Sequence, residues 1–409
     1  MLGNGKKNIG YDLSYYTNNL YPALAFVSTF RTTTPSESIT LPYEVAGTYS
    51  GTINWGDGTT SVNSYANRTH VYAVANDYKI IIQGETTGWN FNTGSNVSKD
   101  KIRSVDQWGT LKLINTTFMY NFYNCLNLNL SNVIGVLNTT GLTSLLGLFE
   151  ACPSLTSVNN INSWNLSNIQ YLNEFFYECT NFNQTLNLNV PSAITTAAMF
   201  KSCFALNSSI TINCPNVTDM GNMFFACTSL NSSVNLTTQN VTNMVAMFQS
   251  CTSFNQLVLL DTSNVVYMQN MFFNCGAFNQ EINFDTGNVQ NMAAMFALSY
   301  AYNQPLNLNT SSVTSMAYMF TNCFAFNQDI SSWDVSNVAD FTDFMAGKTF
   351  NDYDSQNLTA IYVNWSLLAV QPNLNINFGT IKYRTGGIAG KAVLLAAPNL
   401  WTITDGGLI

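Results

Sequence analysis

Cysteines, paired aspartates and a single histidine are the residues of this sequence that could do chemistry. Thiolates with histidine bind zinc, and two carboxylates about 5–5.5 Å apart cleave glycosides with retention. The chain has 9 Cys but only 1 His, and it contains no Cys-x-x-Cys pair. A conventional zinc set cannot be completed from these residues, so we predict no metal site and no cofactor.

Eight of the nine cysteines recur in one register, which indicates an internal repeat. Their spacings are 27, 27, 24, 24, 24, 24 and 48 residues. Ser299 occupies the missing place and Gly347 stands one step past the last cysteine. This replacement pattern predicts small buried apolar side chains with free thiols, although distance alone allows disulfides between neighbouring repeats. The eight are Cys125, Cys152, Cys179, Cys203, Cys227, Cys251, Cys275 and Cys323.

Other residue types share the period of 24, which lies within the leucine-rich-repeat range. Asparagine recurs from Asn183 to Asn351, phenylalanine from Phe200 to Phe320, and methionine from Met199 to Met319. We interpret the asparagines as structural, because their amides can bond the backbone and their neighbours at each corner. The phenylalanines and methionines are predicted to form the core.

Each repeat is predicted to contain a short helix and a short strand. Ser263 or Asn264 could cap the helix. The alternation of Ile282 and Phe284 with polar residues, repeated in neighbouring rungs, predicts a strand. About ten stacked rungs, with strands ~4.8 Å apart, then build a parallel sheet roughly 50 Å long. The helix is indicated by apolar residues at i, i+3, i+6 and i+7, namely Val265, Met268, Met271 and Phe272.

The outward face of these strands is the predicted binding surface, because solenoids bind through extended faces. It is rich in amides, nearly uncharged, and suited to a glycan or another sheet. The alternative is a solvated strand face without a ligand. The candidate residues are Asn187, Asn189, Thr211, Asn213, Asn235, Asn283, Asp285, Asn307, Asn309 and Trp333.

Asp261 and Asp285 occupy equivalent places on neighbouring rungs, ~5 Å apart. A retaining glycosidase is therefore one hypothesis. Both residues stand at strand ends in the sequences DTSN and DTGN, where aspartate commonly forms Asx turns. We favour that structural role, predict no catalytic residue, and interpret the protein as a non-enzyme.

The rung VTSMAYMFTNCFAFNQDISSWDVSNV (313–338) resembles the repeat of BspA-like leucine-rich-repeat surface proteins. The resemblance is dense over 161–351 and weaker over 106–160, and the repeat tryptophan is kept only at Trp164 and Trp333. It implies a mainly β solenoid with short helices, an α/β solenoid over 106–351. Residues 352–409 resemble the closing segment that caps such chains.

Upstream, GTINWGDGTTSVNSYANRTHVYAVANDYKIIIQG (51–84) resembles a PKD-like β-sandwich. The resemblance rests on Trp55-Gly56-Asp57-Gly58, on His70 with Tyr72, and on Tyr78 with its alternating isoleucines. We therefore predict a PKD-like sandwich over 26–105, preceded by an N-terminal arm at 1–25. His70 is interpreted as structural, because it has no nearby serine or cysteine partner for a triad.

Charge and composition exclude several partners. The chain carries 14 Lys+Arg against 22 Asp+Glu, a net charge of −8, and no basic run. Binding to nucleic acid is not expected. No stretch reaches 18 apolar residues and no signal peptide is recognisable, so we predict no membrane insertion and no ordinary secretory export.

The two resemblances imply binding rather than catalysis. PKD-plus-repeat chains resemble virion proteins of phages and large viruses, so we expect a virion-surface attachment protein of the capsid-decoration, spike or tail-fibre type. Its expected partners are other virion proteins through the N-terminal arm and a host-surface glycan or protein through the solenoid. A homo-oligomer is compatible with this. The alternative is an extracellular adhesin on a bacterial cell surface.

Overall fold

Mainly antiparallel strands make up the N-terminal part of the chain. The computed structural model describes residues 21–22, 24–92, 98–115 and 119–409. The strands are β1 (Phe26–Arg31), β2 (Glu37–Thr40), β3 (Thr52–Asn54), β4 (Thr60–Val62), β5 (Thr69–Tyr72), β6 (Asp77–Gln83), β7 (Thr86–Thr87), β8 (Ile102–Gln107) and β9 (Leu111–Lys112). One five-stranded sheet has the order β4-β3-β6-β1-β8, a second sheet pairs β2 with β5, and β7 pairs in parallel with β9.

The two sheets share one apolar core. Phe30, Ile80 and Ile82 of the larger sheet and Ile39 of the smaller sheet are fully buried. Strand β8 also forms a parallel bridge from Ser104 to Asn129 in the first repeats. The five-stranded sheet therefore continues directly into the repeat region.

The repeats form a β-solenoid of about 13 turns, which confirms the predicted solenoid. A column of single parallel bridges links consecutive turns from Ser144 to Asp340. Regular strands form in three consecutive turns: β10 (Leu186–Asn189), β11 (Ile210–Asn213) and β12 (Val234–Leu236). Their register pairs Leu186 with Ile210 and Ile210 with Val234.

The predicted strand does not form in the later turns. Residues 258–260, 282–284 and 306–308 keep the alternation of buried and exposed side chains but have no strand ladder. Threonine hydroxyls bond neighbouring turns there: the Oγ1 of Thr262 donates to the Asp285 carbonyl and that of Thr286 to the Asn309 carbonyl, both at 2.9 Å. In these later turns a side-chain hydrogen bond joins neighbouring rungs, whereas backbone hydrogen bonds join β10 to β11 and β11 to β12.

The predicted short helix is wrong, because consecutive tight turns occupy its place. Asn270 and Asn274 have left-handed backbone, with φ of 60° and 57°. Within the turn, the N–H of Met271 donates to the Met268 carbonyl, while the N–H of Phe272 donates to Met295 in the next rung. N–H groups thus alternate between closing a turn and joining two rungs. Such turns bury residues at the same i, i+3, i+6 and i+7 spacing as a helix face, so periodicity alone could not separate them.

The predicted helix caps are wrong for the same reason. The N–H and hydroxyl of Ser263 bond the Oδ1 of Asp261 in an Asx turn, at 3.1 and 2.7 Å. Asn264 instead donates from Nδ2 to the Gln239 carbonyl of the preceding rung, at 2.7 Å. Ser263 thus closes a local turn, Asn264 joins two rungs, and neither residue begins a helix.

Aromatic rings stack along the solenoid axis in the core. Consecutive phenylalanines of the predicted series lie with ring centroids 5.5–5.9 Å apart and ring planes within 11° of parallel. The methionines of the neighbouring series are fully buried beside them. Their predicted core role is confirmed. The stacked rings are Phe200, Phe224, Phe248, Phe272, Phe296 and Phe320.

The last part of the chain covers the end of the solenoid. It contains helix α1 (Ser355–Trp365), β13 (Asn375–Asn377), a short 3-10 helix (Thr385–Gly387), helix α2 (Ile388–Leu395) and β14 (Thr402–Thr404). Another short 3-10 helix, Ile161–Ser163, lies earlier, within the repeats. Asp354 caps α1 by accepting the N–H of Gln356. Trp365 packs on Phe341 of the last rungs with ring centroids 5.5 Å apart. Among the described residues, no helix has the length and apolarity needed to cross a membrane.

Candidate functional site

The outward strand face exposes most of the predicted binding residues. Thr211 is half-buried. Asn213 donates from Nδ2 to the Oδ1 of Asn189 at 2.7 Å, so part of this amide surface is bonded within itself. Leu259, which is 74% exposed, interrupts the polar column. The exposed members are Asn187, Asn189, Asn213, Asn235, Asn283, Asp285, Asn307 and Asn309.

Trp333 does not lie on this face, so its prediction as a binding residue is wrong. Its side chain is 3% exposed, and its Nε1–H donates to the Leu306 carbonyl at 3.3 Å. The Oγ1 of Thr310 bonds the Asp334 carbonyl, whereas Thr286 bonds Asn309, so this rung holds one extra residue. Since side chains alternate between faces, a one-residue shift turns the tryptophan inward.

Asp261 and Asp285 form the predicted Asx turns. Asp261 accepts from Ser263, and the Oδ1 of Asp285 accepts the N–H of Gly287 at 3.1 Å. The hydrogen bonds from Ser263 hold the pKa of Asp261 below its usual value. A glycosidase acid needs a raised pKa, so the shift at Asp261 is opposite to that requirement.

The cysteine column has a bonding role that the sequence interpretation missed. All nine cysteines are free and buried. The thiol of Cys251 donates to the Phe224 carbonyl at 3.0 Å and that of Cys275 to the Phe248 carbonyl at 2.9 Å. Ser299 makes the equivalent bond to Phe272 at 2.5 Å. The replacement of cysteine by serine, another donor, was the available signal that this column does more than fill space.

The asparagine column forms a ladder, as predicted. The Oδ1 of each asparagine accepts the backbone N–H of the next one, for example Asn255 from Asn279 at 3.0 Å. A glutamine follows in several rungs, and Gln280 donates to the same oxygen of Asn255 at 3.0 Å. The ladder ends at Asn327, whose Oδ1 accepts the N–H of Asp354 instead of that of Asn351. The Oδ1 atoms of this column are therefore occupied by bonds within the protein.

His70 has the predicted structural role. Its Nε2 lies 2.7 Å from the Oδ2 of Asp57, and its ring stacks on Trp55 with centroids 4.9 Å apart. Burial acts to raise the pKa of Asp57, but hydrogen bonds from Thr59 and His70 prevail and lower it to about 2. The pair fastens the Gly-Asp-Gly turn to β5.

A cluster of carboxylates lies on the side of the early rungs that carries the tight, left-handed turns, here called the turn side. The sequence predicted no site there. Burial, then the charges of Glu174 and Glu178, raise the pKa of Glu150 to about 7. The hydroxyl of Tyr120 donates to Glu174 at 2.9 Å. Within the described parts of the chain, no group of three or more His, Cys, Asp or Glu side chains is arranged to hold a metal ion.

A cavity of about 350 Å³ lies beside this cluster and was also missed. It crosses four rungs on the turn side, away from the predicted strand face. Its lining combines polar and apolar side chains from two columns, a composition typical of small-molecule sites. No single residue in it stands out in the sequence, because the site exists only when the rungs are stacked.

Comparison with protein families finds one match. The model of a family described as "Mycoplasma protein of unknown function, DUF285" matches residues 90–213, 197–283 and 257–360. No curated protein and no solved structure matches the chain. The three overlapping matches cover the turns of the solenoid, and the first also includes β8 and β9.

Proposed function

We propose a function for this chain from the premise that it belongs to the DUF285 family of BspA-like repeat proteins. That membership accounts for the repeated rungs and assigns no activity to them. We propose that the protein is a non-enzymatic attachment protein, displayed at the surface of a phage or large-virus particle. The solenoid contacts a host-surface glycan or protein.

The observation that carries the proposal is the way the rungs are joined. Side-chain bonds between rungs recur in the asparagine, threonine and cysteine columns, and aromatic rings stack through the core. Interior groups are thereby occupied by structure, and the exposed columns are held at regular spacing. A stiff rod with long repeated surfaces suits attachment to a large partner.

The virion context rests on the PKD-like resemblance of residues 51–84 and on the N-terminal arm. Of that arm, residues 1–20 and 23 lie outside the described residues. Tyr21 contacts the five-stranded sheet, since the amine of Lys79 lies 4.9 Å from its ring centroid and bonds its hydroxyl. We propose that residues 1–25 join the protein to other virion subunits.

Deletion of residues 1–25 tests the anchoring. We expect loss of the protein from purified particles while the isolated chain keeps the circular dichroism spectrum of a folded solenoid. The single change Lys79→Ala serves as the control for loss of the Tyr21 contact alone. Particles that retain the truncated protein at the normal ratio contradict anchoring through the arm.

A second candidate is an adhesin on a bacterial cell surface. The description of the family as Mycoplasma protein favours this cellular setting. Mass spectrometry of purified extracellular particles and of cell envelopes separates the two. Stoichiometric presence beside a major capsid or tail protein supports the virion proposal, and presence in envelopes alone supports the adhesin.

A further inference from the structure

The cavity on the turn side, here called the turn-side groove, is built by two columns that flank the buried cysteines. One column supplies left-handed residues with φ of 56–62°. The other supplies the residue two places later in each rung. Four rungs separated by ~4.8 Å give the groove a length of about 14 Å. The first column comprises Asn124, Ala151, Glu178 and Ser202, and the second Leu126, Pro153, Thr180 and Phe204.

Side-chain size explains why the groove forms at these rungs. Leu126 and Phe204 stand at its two ends, each 45% exposed, with the smaller Pro153 and Thr180 between them. This order of large, small, small and large makes the surface concave. After Phe204 the same column continues with Thr228, Thr252 and Gly276, and its next large residue is Tyr300.

Three polar side chains of the groove are available to a ligand. Among the described residues, the side chains of Asn124, Thr180 and Ser202 make no hydrogen bond within the protein. An amide and two hydroxyls can each donate and accept, and the Glu178 carboxylate accepts. Such a mixed set matches sugar hydroxyl groups, which also do both. The strand-face amides Asn189 and Asn213, by contrast, bond each other.

Charge decides between classes of sugar. The lining contains one carboxylate, Glu178, and no lysine, arginine or histidine. Glu150 lies close enough to Glu178 and to Glu174 for the three carboxylates to form one acidic surface beside the groove. The nearest cation in sequence, Lys201, lies over the rings of Tyr177 and Phe225. Like charges would oppose a sialic or uronic acid, so an uncharged sugar fits better.

We propose that the turn-side groove binds a neutral saccharide of two or three sugar units. Its hydroxyls bond Asn124, Glu178, Thr180 and Ser202, and its C–H faces pack on the exposed ring of Phe204. This inference rests on the proposed attachment function and gives that function a ligand class and a place. It also moves the glycan contact from the strand face to the turn side.

Calorimetric titration of the full chain with N,N′-diacetylchitobiose, cellobiose, maltose and sialyllactose tests the groove. We expect at least one neutral probe to bind with Kd on the order of millimolar, and sialyllactose to bind more weakly. Phe204→Ala should weaken binding by about tenfold, a loss of ~1.4 kcal/mol. Phe324→Ala is the matched control, because Phe324 lies in the same column and is 43% exposed.

Two tryptophan substitutions distinguish a filled groove from a general loss of folding. Thr180→Trp fills the middle of the groove and should abolish binding, while Thr252→Trp places the same side chain three rungs away and should not. Equal melting temperatures of the four variants show that each is folded. Asn283→Ala and Asn307→Ala on the strand face should leave binding unchanged.

Three results overturn the groove: no neutral probe bound, equal weakening by Phe204→Ala and Phe324→Ala, or loss of binding only in the strand-face variants. The attachment function fails separately. If the protein is found on particles or envelopes but binds none of these sugars, the attachment function stands and the groove proposal is wrong. If the protein binds chitobiose through Phe204 but is absent from both particles and envelopes, the groove proposal stands and the attachment function is wrong.

Discussion

At the residue scale, the repeated side chains act mainly as hydrogen-bonding partners between rungs. The thiol of Cys251 and the hydroxyl of Ser299 each donate to a phenylalanine carbonyl of a neighbouring rung. The Oδ1 of Asn255 accepts from both Asn279 and Gln280. A buried donor or acceptor left without its partner costs about 1–3 kcal/mol, so these columns are constrained in type as well as in size.

The first prediction concerns the thiols. Burial raises the pKa of Cys203, Cys227, Cys251 and Cys275, so these thiols stay protonated near neutral pH. The native protein should therefore react slowly with Ellman's reagent. In guanidinium chloride without reductant, 9 thiols per chain should react. A smaller number in the unfolded chain would reveal disulfides and contradict the free-thiol column.

The second prediction concerns Glu150, whose pKa is raised to about 7 from 4.5 by burial and then by Glu174 and Glu178. The native state keeps this proton where the unfolded state has lost it, so stability falls as pH rises from about 4.5 to 7. Glu150→Gln should increase the free energy of unfolding at pH 8 by about 1–2 kcal/mol, after allowance for solvent screening, and change little at pH 4.5.

Urea denaturation at both pH values measures this difference. The exposed Glu281 provides the control, and Glu281→Gln should leave stability unchanged at either pH. An equal gain for Glu150→Gln at pH 4.5 and pH 8 would show that the variant acts through packing and not through titration.

At the element scale, the solenoid was predictable and its local backbone was not. The spacing of the cysteines and asparagines reveals the period, and the repeated alternation of apolar and polar residues predicts the strand that forms at Leu186–Asn189. The spacing of Met268, Met271 and Phe272 suggested a helix where tight turns occur, because both bury the same positions. The left-handed Asn270 and Asn274 were the remaining clue, since asparagine tolerates that backbone.

The third prediction separates turns from helices. Ala226 has a φ of 59° and is partly exposed. Glycine removes the left-handed strain at such a position, so Ala226→Gly should raise the free energy of unfolding by about 0.5–1 kcal/mol. Ala293→Gly, at a residue outside the left-handed set, should lower it by about the same amount, since glycine gains more freedom on unfolding. Urea denaturation of both variants checks the signs, and a loss in both would favour a helix.

Site prediction failed where it depended on register or on stacking. A count of 24 residues per rung predicts that Trp333 faces outward, but one extra residue turns it inward against Phe320. The turn-side groove could not be read from sequence, because Leu126 and Phe204 are 78 residues apart and meet only through four stacked rungs. The period of a repeat shows which residues form a column. Whether that column is concave depends on differences in side-chain size along it.

At the scale of the whole molecule, one continuous core runs from the N-terminal sheets to the closing segment. Buried residues from Phe26 to Trp401 belong to a single hydrophobic cluster. Near the end of the repeats, the buried amine of Lys348 donates to the Cys323 and Phe324 carbonyls, at 2.7 and 3.1 Å. A stack closed in this way can present its surfaces without exposing an open end of the core.

The proposed attachment function requires the protein to stand at an outer surface, which labelling of intact particles and cells would reveal. Gold-labelled antibodies against residues 161–351 would be applied to intact particles and intact cells, and again after lysis, and observed by electron microscopy. We expect label on intact surfaces, at a density that lysis does not increase. Label that appears only after lysis would place the protein inside and contradict the attachment function.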